Sequence, residues 1–430
     1  MRRSISPSII KTRERFFQTI TPNPGSVVAS PVLAAYDPEP DYFFPWYRDS
    51  AVVMDALRLA QDVVPEAPGL FADFLRFSLD LQRLDGRTCP PPRAEPAFAK
   101  FLRRDLDKAH GAAIGAETRV NPDGTLDISN WPRPQHDGPA LRALAILNWD
   151  VPGDAAAALL TTDLRFVLGH ARRPCFGVWE EERGLHYYVL LVSAAALARG
   201  AGWLESQGDT ALAALCRDEA DYLFAALEKW RLPDLGFIRA HILDQRRAEK
   251  EMDVSVILAA NHAGIAPNEK LKTTLGKLDA LFGALYPVNR GRSAPALGRY
   301  AGDTYYGGGA WYSATLAAAE FCYRGGEADR GDAYLQTVRA FTPASGDLSK
   351  QFDRTTARRL RPGIWLGVMP LFSRLRLRVA RPADKCQHPK RQYREEGEEA
   401  KQRPPGTETN SLQRQARRNG GDQFQGQSQI

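Results

Sequence analysis

The chain lacks most of the features that would place it in a class at sight. Its 430 residues hold five cysteines (Cys89, Cys175, Cys216, Cys322 and Cys386), odd in number, scattered, and without metal-ligand spacing. They read as free thiols in a reducing compartment rather than a disulfide framework or a zinc site. No apolar run approaches membrane-spanning length. The start, Met1-Arg2-Arg3-Ser4-Ile5-Ser6-Pro7, has no apolar stretch of the secretory kind. The expectation is a cytoplasmic protein with no membrane partner. Period-two alternation is scarce, which argues against a sheet-based fold, and no short repeat of solenoid type is present. Gly307-Gly308-Gly309 is not followed by Lys-Ser/Thr, so it reads as a tight turn and not a phosphate loop. His136 and His186 have no metal-ligand partners at useful spacing and read as structural or hydrogen-bonding groups.

Charge is plentiful but uneven. The net charge is +6. Residues 358–430 carry 16 Lys+Arg against 7 Asp+Glu, so this tail holds +9 and the rest of the chain −3. The basicity belongs to the tail, where Gln, Arg, Glu, Gly and Pro replace apolar periodicity, and residues 380–430 read as disordered. A nucleic-acid partner is not expected from such a charge map. Hydrophobic content of 43% and charged content of 25% are those of ordinary globular protein.

What remains is helix. Apolar residues recur at three- and four-residue spacing in about 50–64, 68–84, 138–148, 154–171, 186–204, 208–231, 252–264, 270–285, 310–324 and 328–342. Asn121-Pro122-Asp123-Gly124 and Pro233-Asp234-Leu235-Gly236 read as turns. Helices of this length joined by elaborate loops suggest antiparallel pairs. Pairs closing into a ring would bring the helix-entry loops to one face.

Those loops carry the chemistry. Five clusters of aromatic, Arg and carboxylate residues precede apolar helical runs. They are Tyr42-Phe43-Phe44-Pro45-Trp46-Tyr47-Arg48-Asp49, Asn130-Trp131-Pro132-Arg133-Pro134-Gln135-His136-Asp137, Trp179-Glu180-Glu181-Glu182, Arg299-Tyr300-Ala301-Gly302-Asp303-Thr304-Tyr305-Tyr306 and Leu348-Ser349-Lys350-Gln351-Phe352-Asp353. Aromatic faces with carboxylates and Arg forks suit sugars, whose hydroxyls alternate with flat C–H faces. Taken singly, each has a structural reading. Glu180 and Glu181 could sit at the positive end of a helix dipole, Arg48-Asp49-Ser50 could be a cap with an ion pair, and Trp46, Trp131 and Trp311 could be core aromatics.

Taken together and in order, the phrases DYFFPWYRDSAVVMDAL, NWPRPQHDGPALRALAIL, VWEEERGLHYY, GRYAGDTYYGGGAWYSATLAAAE and LSKQFDRTT resemble glycoside hydrolase family 15, the glucoamylases, especially its short bacterial members, across residues about 4–357. The resemblance implies an all-α, (α/α)6 toroid. It also implies an exo-acting α-glucosidase that releases glucose from non-reducing ends with inversion. By that resemblance Glu180 is the general acid and Glu181 binds sugar hydroxyls. Arg48 and Asp49 hold the terminal glucose, Tyr42, Trp46 and Trp131 form apolar walls, and Arg299 clamps hydroxyls. Arg133, Trp179, Asp303 and Tyr305 complete the substrate-binding set. The implied partner is an α-glucan or oligosaccharide. No cofactor or metal is implied, since two carboxylates and water suffice for this chemistry.

The physics of those roles is specific. An inverting glycosidase needs a protonated carboxyl at the leaving oxygen and an ionised one ~6.5–9.5 Å away to activate water. Glu180 is expected to be kept protonated by Trp179 and by the like charge of Glu181, and Asp49 to stay ionised beside Arg48.

The chain departs from the family twice. Where the family has its general-base Glu, this chain has Lys350. An ammonium of ordinary pKa, ~10.4, takes no proton from water at neutral pH, and the expectation is an ion pair with Glu180 or Glu181. Asp353 is the only nearby carboxylate that could substitute. Second, the family's final ring helix contains a phrase like Trp-Ser-Tyr-Ala-Ala-Phe, absent here. Yet the segment Trp365–Phe372 admits codons which, read from a displaced frame, spell Ala-Trp-Ser-Tyr-Ala-Ala-Phe. The expectation is an incomplete catalytic domain over 1–357 and an out-of-frame tail over 358–430, with the last ring helix missing or replaced. Rival functions are a catalytically inactive glucan-binding or regulatory protein, and an α,α-trehalase or isomalto-oligosaccharide hydrolase of the same fold.

Overall fold

A helix that is apolar all round must be buried, whereas one with a single apolar stripe can face water, and the chain alternates the two kinds. The computed structural model describes residues 13–15, 18–20, 22–30, 42–91, 96–243, 248–344, 346 and 348–357. Within them lie ten α-helices in five hairpins. The first members are α1 (Tyr47–Arg58), α3 (Asp137–Trp149), α5 (Tyr187–Ser206), α7 (Ser255–His262) and α9 (Tyr312–Arg324). Each is buried along most of its length, as α1 is from Tyr47 to Leu57, α5 from Tyr187 to Leu197 and α9 from Tyr312 to Cys322. The second members are α2 (Ala67–Leu81), α4 (Asp154–His170), α6 (Thr210–Glu228), α8 (Glu269–Leu285) and α10 (Ala328–Phe341). Each buries a stripe, such as Leu212, Cys216, Ala220, Leu223 and Leu227 of α6.

Neighbouring first members pack in chain order, α1 on α3, α3 on α5, α5 on α7 and α7 on α9, while their partners lie outside them. One apolar core runs from Val27 through Leu57, Leu144, Val192, Ile257 and Leu316 to Phe352. The result is an arc of two concentric helical layers, the all-α ring of helix pairs read from the sequence. The final ring helix expected between residues 360 and 372, and the tail, lie outside the described residues. One expectation about composition is corrected. Helix α5 is long and apolar enough to cross a membrane by length and composition. Here 78% of that stretch is buried among the other helices, as befits the core helix of the ring.

Short strands set the loops at the helix entries. β1 (Arg13–Arg15) pairs with β2 (Gln18–Ile20). β3 (Cys175–Phe176), β4 (Arg183–His186) and β7 (His241–Leu243) form an antiparallel sheet, β4 in the middle. β5 (Arg231–Leu232) and β6 (Phe237–Ile238) flank the expected turn, where Gly236 has φ +73° and its N–H bonds Leu232 O. β8 (Ala310–Trp311) pairs with β9 (Gln351–Phe352). The triple glycine is a tight turn: Gly307 and Gly308 have φ +80° and +66°, and a Cβ on Gly308 would meet Asp303 O at 2.0 Å.

Candidate active site

The helix-entry loops converge on a cavity of about 320 Å³. Eleven of the thirteen residues singled out above line it: Tyr42, Trp46, Arg48, Asp49, Trp131, Trp179, Glu180, Glu181, Arg299, Tyr305 and Lys350. Arg48 and Asp49 sit in the first turn of α1, which begins at Tyr47, so the first cluster overlaps its helix. Glu180 and Glu181 are not at a helix start. They lie in the turn between β3 and β4, where Glu180 takes the left-handed conformation (φ +62°). A non-glycine residue held there is strained, a condition that clusters at functional sites.

The Glu180 carboxylate is saturated with donors. Oε1 accepts from Trp46 Nε1 (2.8 Å), Arg48 Nη2 (2.9 Å) and Gln135 Nε2 (2.9 Å), and Oε2 from Trp131 Nε1 (2.7 Å). Burial pushes its pKa up, but Arg48 and these donors outweigh it and hold Glu180 below the usual carboxylate range. This corrects the expectation of a proton kept on Glu180 by Trp179 and Glu181. Trp179 instead donates its Nε1–H to Asp253 (2.8 Å). Glu181 carries charge partners of its own, Arg299 (2.6 Å), Lys250 (2.8 Å) and the Tyr300 hydroxyl (2.5 Å). Burial raises its pKa as well, and Arg299 with these partners leaves it lowered.

Asp49 behaves differently. Its Oδ2 lies 3.5 Å from Arg48 Nε, yet burial outweighs the guanidinium and raises its pKa. Its pairing with Arg48 therefore does not hold it below the usual carboxylate range. Arg48 is shared three ways, since Nη1 also bonds Asp137 (3.0 Å) and Gln135 (2.8 Å).

Lys350 does not join Glu180 or Glu181. Its ammonium stands over the Tyr42 ring, 3.6 Å from the centroid, and 5.9 Å from the centroid of Tyr305. The ion pairs of the two glutamates are with Arg48, Arg299 and Lys250. The Tyr42 and Tyr305 hydroxyls meet at 2.7 Å. Asp353, the candidate substitute base, is turned away. Its Oδ1 accepts from Thr356 N (2.7 Å), Thr355 N (2.8 Å) and Thr356 Oγ1 (3.0 Å), which hold its pKa low, and it is not among the cavity-lining residues.

Two expected sugar contacts prove to be supports. Asp303 grips Arg299 from behind (2.6 and 2.8 Å) and caps Tyr305 N. Arg133 bonds the buried carboxylates Glu117 (2.7 Å) and Asp127 (3.1 Å) beside an adjoining depression. His136 and His186 are structural as read. Burial and His170 push His136 down to about 4, and His186 Nε2 meets Cys175 O at 3.2 Å.

Several residues escaped sequence reading. Arg119 is fully buried, with its guanidinium 3.8–4.8 Å from the ring centroids of Trp131, Phe44 and Trp46, and paired with Asp127 at 2.8 Å. It fixes the aromatic wall from beneath. Lys250, Asp253 and His262 come from segments with no motif character, and Tyr188 and Ser313 lie within quoted phrases but carried no assigned role. Gln135 was within a quoted phrase but carried no assigned role.

An all-α ring of hairpins with an aromatic, carboxylate-bearing pocket at the helix entries defines a class of glycoside hydrolase folds. The family model described as glycosyl hydrolases family 15 matches residues 115–331, half of the chain, and the chain belongs to that family. It is 26% identical over 358 residues to an intracellular, sporulation-specific glucoamylase of Saccharomyces cerevisiae (72% of this chain, 62% of that one). It is 28% identical over 320 residues to a probable glucoamylase of Schizosaccharomyces pombe (70% and 65%). The chain thus spans less than two thirds of the length of these curated relatives. Among solved structures, the glucoamylase of Saccharomycopsis fibuligera superposes with a TM-score of 0.70 at 21% identity, covering 87% of this chain and 93% of that one. That of Hormoconis resinae gives 0.69 at 23%, covering 84% and 69%. The fold is the family's (α/α)6 toroid, five of its hairpins falling within the described residues.

Proposed function

We propose that the pocket binds the non-reducing end of an α-glucan or maltooligosaccharide and cleaves its terminal glucosidic bond, with Glu180 as proton donor to the leaving oxygen. The observation that carries this is the setting of Glu180 between Trp46 and Trp131, with Arg48-Asp49 on one side and Glu181-Arg299 on the other. Stacked and edge-on aromatics (Tyr42–Trp46 centroids 5.6 Å, Trp46–Trp131 5.7 Å) supply flat walls for sugar C–H faces. The arginines and carboxylates supply forks for vicinal hydroxyls. Hydrolysis as such is weakened. Lys350 replaces a base, and loss of one acid–base group typically costs ~10²–10⁴-fold. A reducing, cytoplasmic setting fits the free thiols Cys89, Cys175, Cys216 and Cys322.

The test is a search for glucose release from maltotetraose by the purified chain and its Glu180→Gln variant. Activity that vanishes in the variant supports the reading. Activity that persists removes Glu180 from the chemistry.

Lys350 also favours a second reading, a binding protein of the same fold that no longer turns over. Calorimetric binding of maltotetraose with no product under any condition would select it.

A further inference from the structure

We propose that this pocket uses inorganic phosphate, in place of water, as the nucleophile at the terminal glucosyl carbon, with Lys350 and Ser313 holding the phosphate. The proposal rests on the reading of the pocket as a glucoside-cleaving site, and concerns which nucleophile that site accepts.

The part of the cavity wall formed by Lys350 and Ser313 suits an anion better than water activation. Lys350 is fixed there by its backbone. Its carbonyl accepts from Tyr312 N (3.2 Å), and the β8–β9 pair anchors the next two residues. Gln351 braces the same strand, its Nε2 on Tyr305 O (3.0 Å) and its Oε1 on Gly309 N (3.1 Å). The ammonium therefore stands at the cavity wall over Tyr42. Ser313 lies one residue beyond Tyr312, in the first turn of α9, and lines the same cavity. It is 4% exposed, and its Oγ has no hydrogen-bond partner among the described residues. A buried hydroxyl without a partner costs free energy unless a ligand satisfies it. The first turn of α9 also brings the positive end of a 13-residue helix to this place, with no side-chain cap.

The cavity's carboxylates have other cations beside them: Asp49 and Glu180 pair with Arg48, and Glu181 with Arg299 and Lys250, while the charge of Lys350 also acts on Asp49, so phosphate would share this ammonium with Asp49. Chemistry supplies the remaining reason. Water must lose a proton to attack, and an ammonium cannot take it. Hydrogen phosphate arrives already anionic and needs no base, and an ammonium attracts it.

The step balances. A phosphate oxygen forms a bond to the glucosyl carbon on the face opposite the leaving chain. The glucosidic C–O bond breaks, and its electron pair goes to the leaving oxygen. That oxygen takes a proton from Glu180, which Arg48, Gln135 and Trp131 otherwise hold ionised and which solvent must protonate once the bound glucan draws those donors away; the proton shed by hydrogen phosphate returns to solvent, so the protons balance. The products are β-glucose 1-phosphate and a glucan shorter by one unit, with inversion.

The experiment incubates the full chain with maltotetraose in a phosphate-free buffer, with and without added inorganic phosphate. Products are read by ³¹P and ¹H NMR. β-Glucose 1-phosphate is expected only with phosphate present, and faster than free glucose. Lys350→Met and Ser313→Ala should each raise the phosphate concentration needed for half the maximal rate. Lys350→Glu should trade sugar phosphate for free glucose. Glucose released at a rate indifferent to phosphate, with no sugar phosphate, overturns the proposal and leaves the glucosidase reading standing. Neither product, although maltotetraose binds, overturns both. Failure to bind maltotetraose at all removes the sugar pocket itself and the proposal with it.

Discussion

The guanidinium of Arg48 lies 2.9 Å from the Glu180 carboxylate and is the strongest of the groups that pull its pKa down. Burial alone would raise the Glu180 pKa; Arg48, Gln135 and Trp131 outweigh it and leave the group lowered. Replacing Arg48 by Met should therefore raise the Glu180 titration, because burial then acts with less opposition. ¹³C NMR of labelled glutamate carboxyls, assigned with Glu180→Gln, reads the shift. The linkage has a definite sign. A carboxylate depressed in the folded state adds stability above its unfolded pKa of ~4.3, lost as pH falls through the folded value. Arg48→Met should erase that acid window.

Asp253 should show the opposite sign. Buried beneath Trp179, it is pushed up to about 7 although Ser255 N (2.6 Å) and Trp179 Nε1 donate to it. A carboxyl raised in the folded state binds more protons there. Stability should thus fall as pH rises from its unfolded value to about 7 and level off above it, each unit being worth about 1.4 kcal/mol. Chemical denaturation at a series of pH values should show this slope, flattened in Asp253→Asn.

Arg142 and Asp163 join α3 to α4 through two bonds (2.7 and 2.8 Å), both side chains 2% exposed. Burial raises Asp163 against the pull of Arg142. Arg142→Met should cost about 3–5 kcal/mol, since it strands a buried carboxylate, and the double variant with Asp163→Leu should recover much of it. Denaturant midpoints of the single and double variants check this.

The indole N–H groups of Trp46 and Trp131 each bond Glu180. Trp131→Phe keeps an aromatic face but removes a donor to a charged acceptor, worth about 1.5–3 kcal/mol. Glu180 should titrate higher while sugar stacking survives in part. Titration of the labelled carboxyl, run alongside maltotetraose calorimetry, separates the two effects.

How far the sequence could be read depends on how many residues carried each signal. The helices were legible because their apolar spacing extends over many turns, and the pocket because its aromatics and charges come in irregular phrases. The strands were not, since two residues such as Cys175–Phe176 cannot display alternation. Charge states failed for a related reason. They depend on partners from distant segments: Gln135 and Arg48 meet Glu180, and Asp253 claims Trp179. Arg119 had no neighbours in sequence to mark it, and Ser313, although inside a quoted phrase, is of a residue type that gave no signal; yet Arg119 underlies the cavity wall and Ser313 lines the cavity.

The most direct test of the account is the anomer of glucose released from maltotetraose by the Lys350→Glu variant of the full chain, followed by ¹H NMR. If Glu180 is the proton donor and position 350 governs the nucleophile, β-glucose should appear without phosphate, ~10²-fold or more above the parent chain. It should disappear when Glu180→Gln is added. A folded Lys350→Glu protein that binds maltotetraose and releases no glucose, or releases it equally well without Glu180, would contradict the account.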